Sequence, residues 1–216
     1  LSVKPFDQQA AFEPRVSALS AASQRILERL GAWDGIVARR LSPYTDMHVW
    51  DGSGTGQIHF SAASVHADLL GHIVENRVVQ DGLLERLLDS DIGLLANARL
   101  EQMRRSGDEW LLTLADGRRL RAPLVIAADG ANSAVRHLTG CETREWDYLH
   151  HAIVTSVRCA KPHQATAWQR FTDDGPLAFL PLLRDGQQDW CSIVWSTTPE
   201  QGERLMALPD AAFCAE

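Results

Sequence analysis

Apolar and polar positions along the chain change period several times, and each change marks an element. Between Ser20 and Leu30 the spacing is helical, with Ile26, Leu27 and Leu30 on one face and Gly31 closing the run. Trp33 packs against or caps a short second helix through about Arg39, and both are expected in the core. The residues before them, 1–13, show no period and read as a surface lead-in. Met47 to Phe60 alternates on either side of Gly52, Gly54 and Gly56, which predicts a hairpin. Those glycines precede neither a helix nor a Lys-Ser or Lys-Thr pair, so they make a turn and not a phosphate loop.

His72 to Glu75 is a brief strand feeding a helix over Asn76 to Leu88, whose Leu83, Leu84, Leu87 and Leu88 form an apolar stripe. Residues 92–121 read as a meander: Leu94-Leu95, Arg99 to Arg104, and Trp110 to Leu114, with Asp116-Gly117 turning into Arg118 to Arg121. After Gly140 strands dominate, at about Tyr148 to Cys159, Thr166 to Phe171, Leu177 to Leu182 and Trp190 to Ser196. Their polar and aromatic alternation predicts a second, antiparallel layer. Pro176 and Pro181 bound one of these strands and argue that it lies at an edge or bends. Pro199 to Leu208 starts a helix.

The stretch Val125 to Arg136 carries the candidate chemistry. Leu124 to Ala128 is a short apolar run entered after Pro123, the pattern of a strand covered on both faces. Asp129 then stands at the strand's carboxyl end, where ligands bind in open α/β sheets. Gly130 can take positive φ, and Asn132 or Ser133 can cap the helix that follows. The other reading of these residues is a plain strand-turn-helix in which Asp129 only caps backbone amides.

Composition changes this picture little. The chain has 216 residues, 45% hydrophobic and 23% charged, with a net charge of −7, which suits an ordinary globular chain of one large or two small domains. Lys occurs only at positions 4 and 161 and no basic stripe forms, so no nucleic-acid partner is expected. No apolar run reaches the ~18 residues of a membrane-spanning helix, and the start lacks a signal peptide's regions, so a cytoplasmic location is expected. Cys141, Cys159, Cys191 and Cys214 are far apart and expected as free thiols. The histidines show no ligand spacing, and no metal site is expected. His150 and His151 alternate along a strand, one expected in the core and one on the surface.

Ala-Asp-Gly-Ala-Asn-Ser-x-x-Arg, residues 128–136, resembles the second fingerprint of the single-component flavin aromatic hydroxylases, the p-hydroxybenzoate hydroxylase fold. Five further segments resemble one branch of that family, the ubiquinone-biosynthesis hydroxylases. They are Pro14-Arg15-Val-Ser-Ala-Leu-Ser, Leu30-Gly-Ala-Trp33, His72-Ile-Val-Glu-Asn76, Trp146-Asp-Tyr-x-His-His151, and Gly175-Pro-Leu-Ala-Phe-Leu-Pro-Leu182 with Ser192-Ile-Val-Trp-Ser196. The resemblance runs from about residue 14 to the end, in family order. It implies an α/β fold with α+β elements: a FAD/NAD(P)-binding Rossmann-like domain over 1–142 and an antiparallel-sheet substrate domain over 143–216, both partial. The hairpin 46–60 would lean on the substrate domain.

By the same resemblance the cofactor is FAD, with NAD(P)H as co-substrate. Arg15 would reach the flavin's phosphate region, Asp129 and Gly130 would lie near its pyrophosphate, and Gln80 would contact its phosphate-ribityl region. Asn76 competes with Gln80, or is the helix cap. The β-strand ending at Leu182 would lie near the isoalloxazine and the aromatic substrate, or be an ordinary edge strand. The implied reaction is hydroxylation of the aromatic ring of a polyprenylated phenol by dioxygen through a flavin hydroperoxide, and the pattern implies no catalytic side chain. The apolar tail implies peripheral membrane contact or a multi-enzyme assembly, and a homo-oligomer is compatible. A flavin-dependent reductase or dehydrogenase on the same fold, and a non-catalytic truncated subunit, remain alternatives. No Gly-x-Gly-x-x-Gly loop occurs and the first residue is Leu, so the sequence is expected to be a fragment that binds FAD weakly and is inactive by itself.

Overall fold

The computed structural model describes residues 2–216. Along the chain run β1 (Val16–Ser20), α1 (Ala21–Arg29), α2 (Trp33–Val37), β2 (Ser42–Tyr44), β3 (Asp46–Asp51), β4 (Gln57–Ser61), β5 (Gly71–Glu75) and α3 (Asn76–Leu88). Then come β6 (Leu100–Ser106), β7 (Glu109–Leu114), β8 (Arg119–Ala122) and α4 (Ala134–Leu138). Last are β9 (His151–Arg158), β10 (Thr166–Thr172), β11 (Gly175–Arg184), β12 (Gln187–Thr197), α5 (Pro199–Met206) and α6 (Asp210–Phe213). The mixed α/β class holds. Two compact units form, residues 92–147 and residues 2–91 with 148–216.

The larger unit is layered around β5. A three-stranded sheet, β1-β5-β2, lies between helices and a six-stranded sheet ordered β4-β3-β10-β11-β12-β9. Every residue of β5 is buried because the sheet is covered on both faces. Val74 packs with Leu27, Ile36 and Val78 on the helix side, while Ile73 meets Phe12 and Leu182 on the other. The lead-in is largely at the surface, as expected, except at Phe12. Phe12 is core, and Arg40 anchors the segment by donating to the carbonyls of Gln8 and Ala10. A segment without period can be fixed by a distant side chain.

Ser20 caps α1, accepting from the Ser23 amide, and Gly31 follows the helix at φ +71°. Of the expected face only Leu27 is buried, with Ile26 and Leu30 more than half exposed. In α3 the expected leucine stripe also fails, since Leu83 and Leu88 are exposed and the buried positions are Val78 and Gly82. The reason is close helix contact: a Cβ on Gly82 would stand 2.8 Å from Ile36 Cγ1 and 3.1 Å from the Ala32 carbonyl. Burial follows where α2 can approach, not where the largest side chains lie.

The hairpin β3-β4 forms as expected, and β3 also pairs in parallel with β10, from Asp46 opposite Thr166 to Asp51 opposite Phe171. β11 is not an edge strand, because β10 pairs along one side and β12 along the other. Its prolines are tolerated because the two ladders overlap only over Leu177–Phe179: β10 covers Gly175–Phe179 and β12 begins at Leu177. Pro176 and Pro181 each stand beyond one ladder's end, where a missing N–H costs least.

In the smaller unit β6, β7 and β8 make the meander, but Leu94-Leu95 contributes no strand. Leu124 to Ala128 forms no strand either, and Leu124 and Ile126 are 70% and 79% exposed. A strand buried on both faces needs a neighbour to take its backbone hydrogen bonds, and no strand among the described residues pairs with this segment.

Candidate functional site

Asp129 and Gly130 lie in the smaller unit. Ser133 caps α4 by accepting from the Arg136 amide at 3.0 Å. The Ser133 hydroxyl in turn donates to Asp129 Oδ1 at 2.5 Å, and the Val135 amide donates to Oδ2 at 3.2 Å. Ser133, and after it the Val135 amide, hold the Asp129 carboxyl below its ordinary range. Asp129 thus fastens the turn to the helix start with both oxygens. Gly130 has φ +82°, and no atom lies within 4 Å of where its Cβ would be, so a ligand could approach the backbone there.

Arg15 and Gln80 lie in the larger unit. Both side chains are exposed, and neither makes an ion pair or hydrogen bond among the described residues. The Arg15 carbonyl accepts from the Asn76 amide at 3.0 Å, joining the entry of β1 to the start of α3. Asn76 is not the cap. Glu75 holds that position, and Asn76 Oδ1 accepts from the Ser17 hydroxyl at 2.6 Å.

Arg15 lines a groove of about 800 Å³ with His150, His151, Ile153, Glu203 and Met206. This overturns the expectation of one buried histidine, since both are exposed. His150 lies just before β9, where strand alternation has not begun, and its Nδ1 is 2.9 Å from the Tyr148 carbonyl. The motif pointed to Arg15, but Glu203 and Met206 come from α5 at the far end of the chain, and no local pattern links them.

Two further features lacked an adequate signal. Glu75 and Arg40 form a buried pair, Nε to Oε2 at 2.8 Å and Nη2 to Oε1 at 3.0 Å, just before α3. On the six-stranded sheet His48, Trp50 and Trp168 share a face, with Trp50 and Trp168 ring centroids 6.3 Å apart, and line a cavity of about 400 Å³. Alternation along β3 shows His48 and Trp50 on one face, but only the parallel register adds Trp168.

In the larger unit Arg15, without a side-chain partner among the described residues, lines a roomy groove, and its fork of donors suits phosphate oxygens. The layered sheets and helices make this a mixed α/β protein. A protein-family model described as "FAD binding domain" matches residues 7–212. The chain belongs to that family, and FAD is the cofactor the membership assigns. It is 38% identical over 213 residues to 3-demethoxyubiquinol 3-hydroxylase of Escherichia coli, covering 98% of this chain and 53% of the relative. It is 36% identical over 208 residues to the ubiquinone hydroxylase UbiL of Rhodospirillum rubrum, covering 96% and 47%. The chain therefore spans about half the length of these curated relatives. In solved structures the fold matches PqsL of Pseudomonas aeruginosa, a probable FAD-dependent monooxygenase, with TM-score 0.74, 24% identity and 92% and 55% coverage. It also matches HpxO of Klebsiella pneumoniae complexed with FAD and uric acid, with TM-score 0.66, 15% identity and 92% and 49% coverage.

Proposed function

We propose that this chain is part of an FAD-dependent monooxygenase that hydroxylates the aromatic ring of a polyprenylated phenol in ubiquinone biosynthesis, using NAD(P)H and dioxygen. The observation that carries this reading is 38% identity along 98% of the chain to a ubiquinol hydroxylase. Arg15, Gln80, Asp129 and Gly130 hold the cofactor in this reading. Arg15 supplies a charged fork for phosphate oxygens, Gln80 a neutral amide, and Gly130 a backbone that can be approached closely. Asp129 acts through the turn it fastens. FAD, when bound, supplies the redox chemistry; the chain binds and orients it and keeps water away. Functionally, 1–142 serves the flavin and 143–216 the substrate, with the hairpin 46–60 leaning on the latter. This division assigns 2–91 to the flavin side, although those residues pack in one compact unit with 148–216.

No helix among the described residues is long and apolar enough to cross a membrane. In this reading, contact with a lipid-borne substrate is peripheral or made within an assembly. The test is oxygen uptake by the flavin-loaded full protein with NADH or NADPH and a polyprenyl phenol. Uptake coupled to a hydroxylated product supports the reading; reduced-cofactor consumption that yields a reduced product without oxygen insertion refutes it in favour of a reductase. For the site, Arg15→Ala should weaken FAD binding about tenfold to a hundredfold, the worth of one lost charge-assisted contact. Flavin fluorescence titration measures this, and unchanged affinity removes Arg15 from the site.

A further inference from the structure

The larger unit holds a pair of thiols that the proposed reaction does not use. β9 and β12 pair antiparallel, with Cys191 opposite Val157 and Trp190 opposite Arg158. Beyond the end of β9 the Cys159 amide still donates to the Asp189 carbonyl, at 2.6 Å. Cys159 is thereby held one diagonal step from Cys191. The two residues line one cavity of about 470 Å³, with Lys161, Trp168 and Phe179. Cys191 is 2% exposed and Cys159 partly exposed, so a small oxidant reaches Cys159 first. Burial, and then the neighbouring Cys159, push the Cys191 thiol up, so it waits protonated.

We propose that Cys159 and Cys191 are a peroxide-sensitive pair that closes to a disulfide. The Cys159 thiolate attacks one oxygen of hydrogen peroxide; the O–O bond breaks, and hydroxide leaves and takes a proton to become water. The Cys159 sulfur is then a sulfenic acid. Cys191 loses its proton and attacks that sulfur, the S–S bond forms as S–O breaks, and the second hydroxide leaves as water. Two thiols and one peroxide give one disulfide and two waters. Each sulfur is oxidised by one electron and the peroxide reduced by two. The bond ties the 159–165 loop to β12.

The test exposes the natively folded protein to hydrogen peroxide, quenches with catalase, alkylates and measures intact mass, with circular dichroism confirming the fold. The expected product is lighter by two hydrogens, contains one cross-linked peptide joining Cys159 to Cys191, and reverts with dithiothreitol. It should be lost in Cys159→Ser and kept in Cys141→Ser/Cys214→Ser. Cys159 and Cys191 still open to alkylation after unfolding, Cys159 carried on to the sulfinic acid without a bridge, or a bridge through Cys141 or Cys214 would each overturn the proposal.

Discussion

Replacing Glu75 by Ala removes the acceptor that holds the middle of the larger unit together. The Arg40 and Glu75 side chains are 5% and 3% exposed, and the pair is bidentate, at 2.8 and 3.0 Å. Glu75 also accepts from the Glu13 amide at 2.8 Å. The Arg40 guanidinium lies 4.1 Å from the Phe12 ring centroid and reaches the Gln8 and Ala10 carbonyls. Loss of the carboxylate therefore leaves a buried cation with only neutral acceptors and frees the amide that fixes the lead-in. Breaking such a pair costs about 3–5 kcal/mol, at least about a fifth of the ~5–15 kcal/mol that stabilises a typical domain. Being buried, the pair is little screened, so the loss should persist at high salt. Urea unfolding followed by tryptophan fluorescence measures it, because the Trp190 ring packs tilted against Phe12, centroids 5.8 Å apart. The double variant Glu75→Ala/Arg40→Met should lose less than the sum of the singles, since no unpaired charge remains. A Glu75→Ala cost under about 1 kcal/mol, the scale of an exposed pair, or strict additivity, would refute the argument.

Gly82→Ala should destabilise by about 1–3 kcal/mol, although Ala is the better helix former by roughly 1 kcal/mol, because the added methyl meets Ile36 and the Ala32 carbonyl; a raised urea midpoint would count against close α2–α3 contact. His163 should make stability depend on pH. Its Nδ1 accepts from the Ala165 amide and its Nε2 faces the Leu182 carbonyl, so the neutral ring fits and protonation does not. Burial pushes its pKa down, against the Leu182 carbonyl and Asp189, which act the other way. With the folded value below the unfolded one, the contribution is complete above the ordinary pKa of about 6.5 and is lost as pH falls from there toward the depressed value. Buried His72, also pushed down by burial, adds in the same direction. Thermal melts across this window should show Tm falling with pH, less steeply in His163→Gln; equal slopes in the two proteins would remove His163 as a cause.

How much of this was legible in the chain depended on how local each determinant is. Ser20, Ser133 and Thr198 each accept an amide three residues on, so helix starts follow from one residue type and a change of period. The hairpin turn and the β6-β7-β8 meander are similarly local. The buried helix faces are not, because Gly82 is buried by virtue of what it lacks, and only Ile36 on another helix reveals that. The β3–β10 pairing joins residues 120 apart, Asp46 and Thr166 among them, without any sequence mark on either strand. Leu124 to Ala128 shows the converse case: its pattern specifies a doubly covered strand, but a ladder requires a partner, and pattern alone supplies none.

Arg15 was legible because its two roles separate along one residue. Its carbonyl takes part in the fold by accepting from the Asn76 amide, which places the side chain at the groove whatever that side chain is. Its guanidinium has no partner among the described residues and so contributes little to stability. Arg40 is the opposite case, a cation whose every donor group faces a protein acceptor in the core. Arg15→Ala should therefore lower FAD affinity while leaving the urea midpoint within about 0.5 kcal/mol of the parent, the range for surface substitutions. Glu75→Ala should move the midpoint first and affinity only through it. If Arg15→Ala proved as destabilising as Glu75→Ala, the side chain would belong to the fold, and the unpaired cation would no longer mark a ligand site.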